Sequence, residues 1–490
     1  MVAYPLFLSS SSARGRKKPL NKLQYEHMAE DVRTERLRKL QLLKDAGVNP
    51  YPSHSARTVS IEEFLKNFAE GKQEEVLAGR ILSIRGQGGI IFADIFDGTG
   101  RVQFVIEKSD VGEETFLLFE KAVDQGDFVE AKGVAYLTKR GQQSLKVNSW
   151  TMLTKALSQL PSEWYGLQDQ ELKLRQRYID ILLDGELRAL FVRRAKFWAA
   201  IREFLLARGF LEVETPVLEN SPGGADARPF VTHHNALDIE VYLRISAGEL
   251  WQKRLLVAGF PKTFEIARIF RNEGMSREHL QDYTQLETYE AYSDVQKGKS
   301  FVQDLYRHTV EAVYGKSIFT INGHTVDFSA EWPELDFCEL MKKEFGIDPL
   351  EYDATSAREV DEKWKSLRKT IAGPAFLVGV PIYLSPLAKP DADGKKSQRL
   401  QVLIGGSEVG NGYTELNDPL DQRSRLEEQQ RLREAGDDEA QRFDEDYVEA
   451  LEYGMPPAFG FGVSERLFAF LENRNAHETQ LFPLLRPKNE

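Results

Sequence analysis

"RNEGMSREHLQDYTQLE", residues 271–287, packs two arginines, one histidine and four acids between stretches with strand periodicity. Upstream, "TFEIARIF" (263–270) alternates apolar and polar side chains. Downstream, "TYEAY" (288–292) continues with aromatic and acidic residues at a spacing of two. The pattern predicts a hairpin. A tip needs only turn residues, so the charge gathered here requires another cause. Residues two apart on a strand share a face, which aligns Tyr283, Glu287 and Tyr289.

A second strand, "GGSEVGNGYTELND" (405–418), aligns Asn411, Tyr413 and Glu415 in the same way. Glu408 stands at odd spacing from Glu415, so a bulge is needed to bring both to one face. Gly405, Gly406, Gly410 and Gly412 predict close approach by a ligand or another strand. Either strand alone could be a polar edge. Together they imply a lined pocket. Arg271 and His279 offer donors to phosphate oxygens. Glu408 suits Mg²⁺, which takes one or two carboxylates plus phosphate oxygens. Glu287, Glu415 and Tyr289 suit a cationic amine. In "GFGVSERL" (460–467), glycines admit a flat ligand and Arg466 can stack on a base or neutralise phosphate.

The 490 residues suffice for two to four domains. A net charge of −12 gives no global field for nucleic acid, so a polyanion must be met locally. The single cysteine, Cys338, forbids an internal disulfide and suits a reducing compartment, here the cytoplasm. No apolar run is long enough to span a membrane. Residues 1–48 hold ten Lys/Arg against five Asp/Glu, and residues 1–74 read as a basic arm, or a transit peptide, followed by a charged helix near 27–46. Short strands broken by Gly and Asp turns, including "DGTG", fill 75–158 and predict an OB-fold β-barrel with one helix near 112–124. Residues 159–187 read as a linker turning helical. Residues 188–490 open on an amphipathic helix at 188–209. They continue as a large α+β domain on a mainly antiparallel sheet, with strands near 241–245, 263–271, 283–292, 375–384, 400–406 and 411–416. Helices are expected near 299–314, 421–435 and 438–453.

These stretches resemble the class II lysyl-tRNA synthetases of the bacterial type from about residue 75 to 488. "FLEVETPVL" (210–218) is similar to their first motif, used at a dimer interface. "FRNEGMSREHLQDYTQLE" (270–287) resembles the second and "FGVSER" the third. "PGGADARPFVTHHNALD" (222–238), "GNGYTELND" (410–418) and "GLQDQELKLRQRY" (166–178) match the lysine enzymes in particular. The resemblance implies an OB-fold anticodon domain, then a catalytic domain with an antiparallel sheet flanked by helices. It implies ATP with Mg²⁺, L-lysine and tRNA(Lys) as partners, a homodimer, and no membrane.

By the same resemblance, Arg271 holds the α-phosphate, Glu273 the adenine edge and His279 the outer phosphates. Tyr283 stacks on adenine opposite Arg466. Glu249 and Glu415 face the lysine ammonium with Tyr289, while Glu287 and the backbone near Gly223 hold the α-amino group. Asn411 and Tyr413 line that pocket. Glu408 is the metal ligand, with Gln401 where the family has a second acid. Phe92 stacks an anticodon base, Gln103 reads a base edge and Arg80 lies beside them. This chain departs from the pattern at Gln401, at the third motif (Val463, Ser464 and Glu465 before Arg466), and in an extra residue within "RISAGELWQKR". It also has Leu280-Gln281 after His279, Gln142 in the barrel, and Tyr413 where Phe is usual. The alternatives are a non-catalytic synthetase-like protein, an aspartate or asparagine synthetase, and a ligase that lysylates proteins.

Overall fold

The computed structural model describes residues 22–71, 74–161, 169–225, 227–274, 276, 278–353, 357–437 and 440–487. Most of the basic arm, with Arg14, Arg16, Lys17 and Lys18, lies outside them. The chain divides into two compact units, after Leu167.

In the first unit, strands Glu74–Gln87, Ile90–Phe96, Arg101–Glu107, Phe128–Leu137 and Gln143–Thr154 close into a barrel. The alternation expected from sequence closes it. Ile91, Ala93, Ile95, Val102, Phe104 and Ile106 fill the interior. The "DGTG" turn is held by Asp97, whose Oδ1 accepts from the Thr99 and Gly100 amides at 2.9 and 3.1 Å. The helix Glu113–Ala122 lies where expected and buries Phe116 and Phe119 in the same core. The charged N-terminal helix, Lys22–Asp45, ends at Gly47, which has φ +74°.

The second unit is built on an eight-stranded sheet. Its order is Glu334–Asp336, Ala375–Val378, Arg399–Ile404, Ser407–Thr414, Ala458–Ser464, Asp282–Ala291, Lys262–Phe270 and Leu211–Glu212. Pairing is antiparallel except at the two ends. Helices Gly185–Ala207 and Val295–Tyr314 bury Phe197, Phe204, Leu305 and Tyr306 in one core with Phe264, Leu286, Val402 and Phe461 of the sheet. Helices Gln170–Arg175 and Arg177–Leu183, within the stretch read as linker, belong to this unit; Arg175 Nη2 donates to the Arg486 carbonyl at 2.7 Å.

Four details differ from the sequence reading. The strand expected over 375–384 stops at Val378, because Gly379 turns at φ +69° and Pro381 follows. The helix expected over 438–453 covers only Glu445–Glu452, capped by Asp444; residues 438–439 lie outside the described residues. The glycine-rich stretch before Arg466, given no element in the sequence reading, is a central strand, Ala458–Ser464. Helix Phe337–Phe345 was not anticipated.

Candidate active site

The hairpin forms as expected, Lys262–Phe270 against Asp282–Ala291, with Tyr283 opposite Ile269 and Glu287 opposite Glu265. The glycine strand pairs beside it and sets two rows across the sheet. Tyr289, Gly460 and Tyr413 form one row; Glu287, Gly462 and Asn411 form the other. Glycine at the middle of each row leaves open floor between the flanking side chains. A Cβ at Gly460 would lie 2.1 Å from Glu415 Oε1. The required bulge is present: the register between Arg399–Ile404 and Ser407–Thr414 shifts between Gln401 and Leu403. The extra residue carries Glu408 to the face of Asn411, Tyr413 and Glu415.

That face lines a cavity of about 550 Å³, whose walls include Glu249, Arg271, Glu287, Tyr289, Glu415 and Arg466. Gly224 and Ala225 line it, rather than Gly223, whose carbonyl instead accepts from Ser246 Oγ at 3.1 Å. A smaller cavity of about 100 Å³ adjoins at the hairpin tip and is lined by Arg271, Glu273, His279, Tyr283 and Arg466.

One end of the large cavity is anionic, and its acids are withdrawn from the surface. Glu249, Glu287 and Glu415 are all buried. Glu287 Oε1 accepts from the Ala247 amide at 3.1 Å and Gln285 Nε2 at 2.7 Å, and its Oε2 accepts from the Tyr289 hydroxyl at 3.1 Å. The Tyr413 hydroxyl donates to Glu249. Burial, reinforced by the charge of Glu249, pushes the Glu287 carboxyl up to about 8. Burial likewise raises Glu415 to about 8 against the opposing pull of Lys253.

Sequence reasoning missed Lys253. It follows Glu249 by one turn on the helix Glu249–Val257, and its side chain is out of solvent. Its Nζ lies 2.8 Å from Glu249 Oε1 and 2.7 Å from Glu415 Oε2, ringed by Tyr289, Tyr413 and Tyr447 at 6.0, 5.3 and 6.0 Å. Burial alone would lower its pKa. The two carboxylates overcome this and hold it well above the ordinary lysine value. The signal was legible, since Glu and Lys four apart meet on a helix. Glu415 Oε1 remains a buried acceptor with no hydrogen-bond partner.

The other end is cationic. Arg271 Nε donates to the Ile245 carbonyl at 3.3 Å, and its guanidinium lies 5.8 Å from the Tyr283 ring centre. Arg466 donates to the Glu408 carbonyl and stands 3.7 Å from Glu278 Oε2. His279 Nδ1 meets Ser276 Oγ at 2.7 Å. Partial burial, then the Arg466 charge, lowers its pKa, so the ring is neutral near pH 7. Asn411 Oδ1 accepts from Arg399 Nε at 2.7 Å.

The residues around Glu408 do not fit a resident metal ion. Its Oε1 accepts from the Trp364 indole at 2.5 Å, and its Oε2 is paired with Arg368 Nη1 at 3.1 Å. Gln401 supplies a neutral amide to the same cavity wall. Among the described residues, no group of three His, Cys, Asp or Glu side chains could hold a metal.

In the barrel unit, Phe92, Asp94 and Phe96 alternate with the buried Ile91, Ala93 and Ile95, so they face outward. Phe92 is half-buried and outside the core. Asp94 pairs with Gln103, and Arg80 pairs with Phe96. A register shift between Ile81 and Ser83 keeps Arg80 on the outer face with Ser83 and Arg85. Arg80 stacks 4.4 Å from the Phe128 ring centre, and Gln103 is buried among its neighbours on that face. The structure therefore brings Arg80, Phe92 and Gln103 to one outer surface.

Residues 169–486 match the family of class II tRNA synthetases (D, K and N), and residues 76–153 match the OB-fold nucleic acid binding domain. The chain is 41% identical to a lysine–tRNA ligase of Moorella thermoacetica, over 94% of this chain and 99% of that one. It is 40% identical to the lysine–tRNA ligase of Halalkalibacterium halodurans, over 94% and 97%. Another such ligase, from Roseiflexus, is 40% identical over 94% and 99%. With both domains matched and the likeness running nearly end to end, this chain belongs to the lysine–tRNA ligase family of class II synthetases.

Proposed function

We propose that the chain activates L-lysine with ATP and transfers it to the 3′ end of tRNA(Lys). The observation that carries this reading is the buried trio Glu249, Glu287 and Glu415, with Glu415 Oε1 left without a partner. A buried unpaired acceptor calls for a donor, and an acid-lined pocket selects a cation. Lys253 answers one negative charge of the three acids, and the two ammonium groups of free lysine answer the remainder. An aspartate side chain would meet like charge here.

In this reading the lysine ammonium sits at Glu415 and Glu249 with Tyr289, and Glu287 takes the α-amino group. Asn411 and Tyr413 complete the wall. ATP enters as its magnesium complex. Tyr283 and Arg466 hold the adenine between them, Glu273 reads its edge and His279 meets the outer phosphates. Arg271 orients the α-phosphate. A carboxylate oxygen of lysine bonds to the α-phosphorus as the bond to the bridging oxygen breaks, and pyrophosphate leaves with that electron pair. The 2′- or 3′-hydroxyl of the terminal adenosine then attacks the lysyl carbonyl and releases AMP. No side-chain nucleophile is required. Positioning and charge neutralisation suffice. Cys338 takes no part: it is buried, and burial raises its thiol to about 12.

Phe92, Gln103 and Arg80 are assigned to anticodon bases, read by stacking and edge contacts as OB-folds do. A homodimer is supported by exposed Leu211, Val217 and Leu218, at 46%, 42% and 47%, in the first-motif stretch. No helix among the described residues is long and apolar enough to cross a membrane, and we assign the enzyme to the cytoplasm, where its tRNA is used. The test is ATP–pyrophosphate exchange with each of the twenty amino acids, followed by tRNA charging. Lysine alone should support both. Exchange with aspartate, or none at all, would overturn the reading.

A further inference from the structure

Next to the phosphate end lies a third cavity of about 320 Å³, sharing Glu278 and Arg466 with the hairpin-tip cavity. Its side chains include His324, Arg368, Lys369 and Arg474, so basic groups dominate it. Arg368 is the member that reaches Glu408, 3.1 Å away, with its own side chain 20% exposed. Its Nε is buried and has no hydrogen-bond partner.

Local structure fixes this arginine in place. The amides of Gly405 and Gly406 donate to the Ala372 and Ile371 carbonyls at 2.8 and 2.9 Å. Both glycines have positive φ, and a Cβ on Gly406 would stand 3.0 Å from the Lys369 backbone. This turn draws the segment after Arg368 against the start of the strand that carries Glu408. One turn earlier, Trp364 is buried with its ring 5.3 Å from Phe337, and its indole holds the other Glu408 oxygen.

We propose that Arg368 is a built-in cation at the leaving-group end of the ATP site, taking the position of a second, protein-held divalent ion. This rests on the synthetase reading above. Glu408 and Arg368 balance each other, Gln401 adds no charge, and Asp361 on the same wall is paired with Lys365 at 2.5 Å, so these residues leave no unpaired acid to hold a free metal. A guanidinium cannot lose its proton here and offers several donors in a fixed fork. As the bond to the bridging oxygen breaks, negative charge grows on the departing pyrophosphate. Arg368 then meets it from the wall of the basic cavity. The magnesium carried by ATP remains part of the substrate.

The test follows lysine-dependent pyrophosphate release, with pyrophosphatase present, against free Mg²⁺ at fixed MgATP. The native enzyme should reach full rate once Mg²⁺ matches ATP, with no further rise. Nucleotide-free enzyme should bind no Mn²⁺ by electron paramagnetic resonance. Arg368→Ala should lower kcat roughly a hundredfold, as loss of one charge-stabilising donor does, with lysine KM unchanged. Adding Gln401→Glu to Arg368→Ala should create a Mn²⁺ site and restore rate as free Mg²⁺ rises. A native rate that climbs with free Mg²⁺ beyond ATP, or Mn²⁺ bound by the native enzyme, would overturn the inference. So would an Arg368→Ala enzyme of native kcat. No lysine-dependent release under any condition would instead overturn the synthetase reading.

Discussion

Lys253 Nζ stands 2.7 Å from Glu415 Oε2, both side chains closed off from solvent and Glu415 lining the large cavity. The protein thus keeps an ammonium of its own beside the place assigned to that of its substrate. The pair fixes the Glu415 carboxylate and leaves its other oxygen unpartnered.

Removing that internal ammonium should be costly. Lys253→Met leaves Glu249 and Glu415 without their partner, and breaking one side of a buried ion pair costs about 3–5 kcal/mol. The sign with pH follows from the acids. Glu287 and Glu415 rise from the ordinary 4.5 to about 8, so the native state holds their protons more tightly than the unfolded chain. Stability should therefore fall as pH rises from about 4.5 to 8 and then level off. Thermal melts should show the deficit of Lys253→Met widening over that window. A deficit that shrinks toward pH 8 would contradict the assignment.

The same two acids set the pH dependence of substrate use. With both carboxyls raised to about 8, much of the free enzyme should hold a proton on them near pH 7, and in the proposed reading that proton leaves as an ammonium pairs with the acid. kcat/KM for lysine should rise between pH 6.5 and about 8, while kcat/KM for ATP stays comparatively flat. Lysine binding near pH 7 should release protons, measurable calorimetrically in buffers of different ionisation enthalpy. Proton uptake would contradict the model.

On the barrel, Phe92→Ala should lower tRNA charging by about 1–3 kcal/mol of lost base stacking. Phe92 lies outside the barrel core, so the fold should survive the change. Lysine-dependent pyrophosphate exchange, which belongs to the other unit, should hold its native rate. Equal loss in both assays would make Phe92 a structural residue.

Much of this architecture can be read from the sequence because period and parity are local. The alternation around Ile91, Ala93 and Ile95 defines a barrel wall. The odd spacing of Glu408 and Glu415 demands the bulge found near Gln401. What escaped reading depends on contacts distant in the chain. Arg368 belongs to no motif, and its pairing with Glu408 arises only when the turn at Gly405–Gly406 docks on Ile371 and Ala372. The strand Ala458–Ser464 looks like a turn by composition. Glycine is needed at position 460 because a Cβ there would meet Glu415 Oε1 at 2.1 Å and the Tyr289 ring at 2.6 Å. The early stop at Val378 combines the local turn at Gly379 with a tertiary contact, since Gly379 packs directly under the Asp336 carboxylate.

If buried carboxylates select lysine by its side-chain ammonium, Glu415→Gln should weaken that choice. The change keeps the size of the side chain and removes one charge. A buried hydrogen bond to a charged group is worth about 1.5–3 kcal/mol, so kcat/KM for lysine should fall roughly ten- to a few-hundredfold. KM for ATP should hardly move, and discrimination against uncharged amino acids of similar length should narrow. Loss of ATP binding with lysine selectivity intact would contradict the account and move Glu415 to the phosphate end of the site.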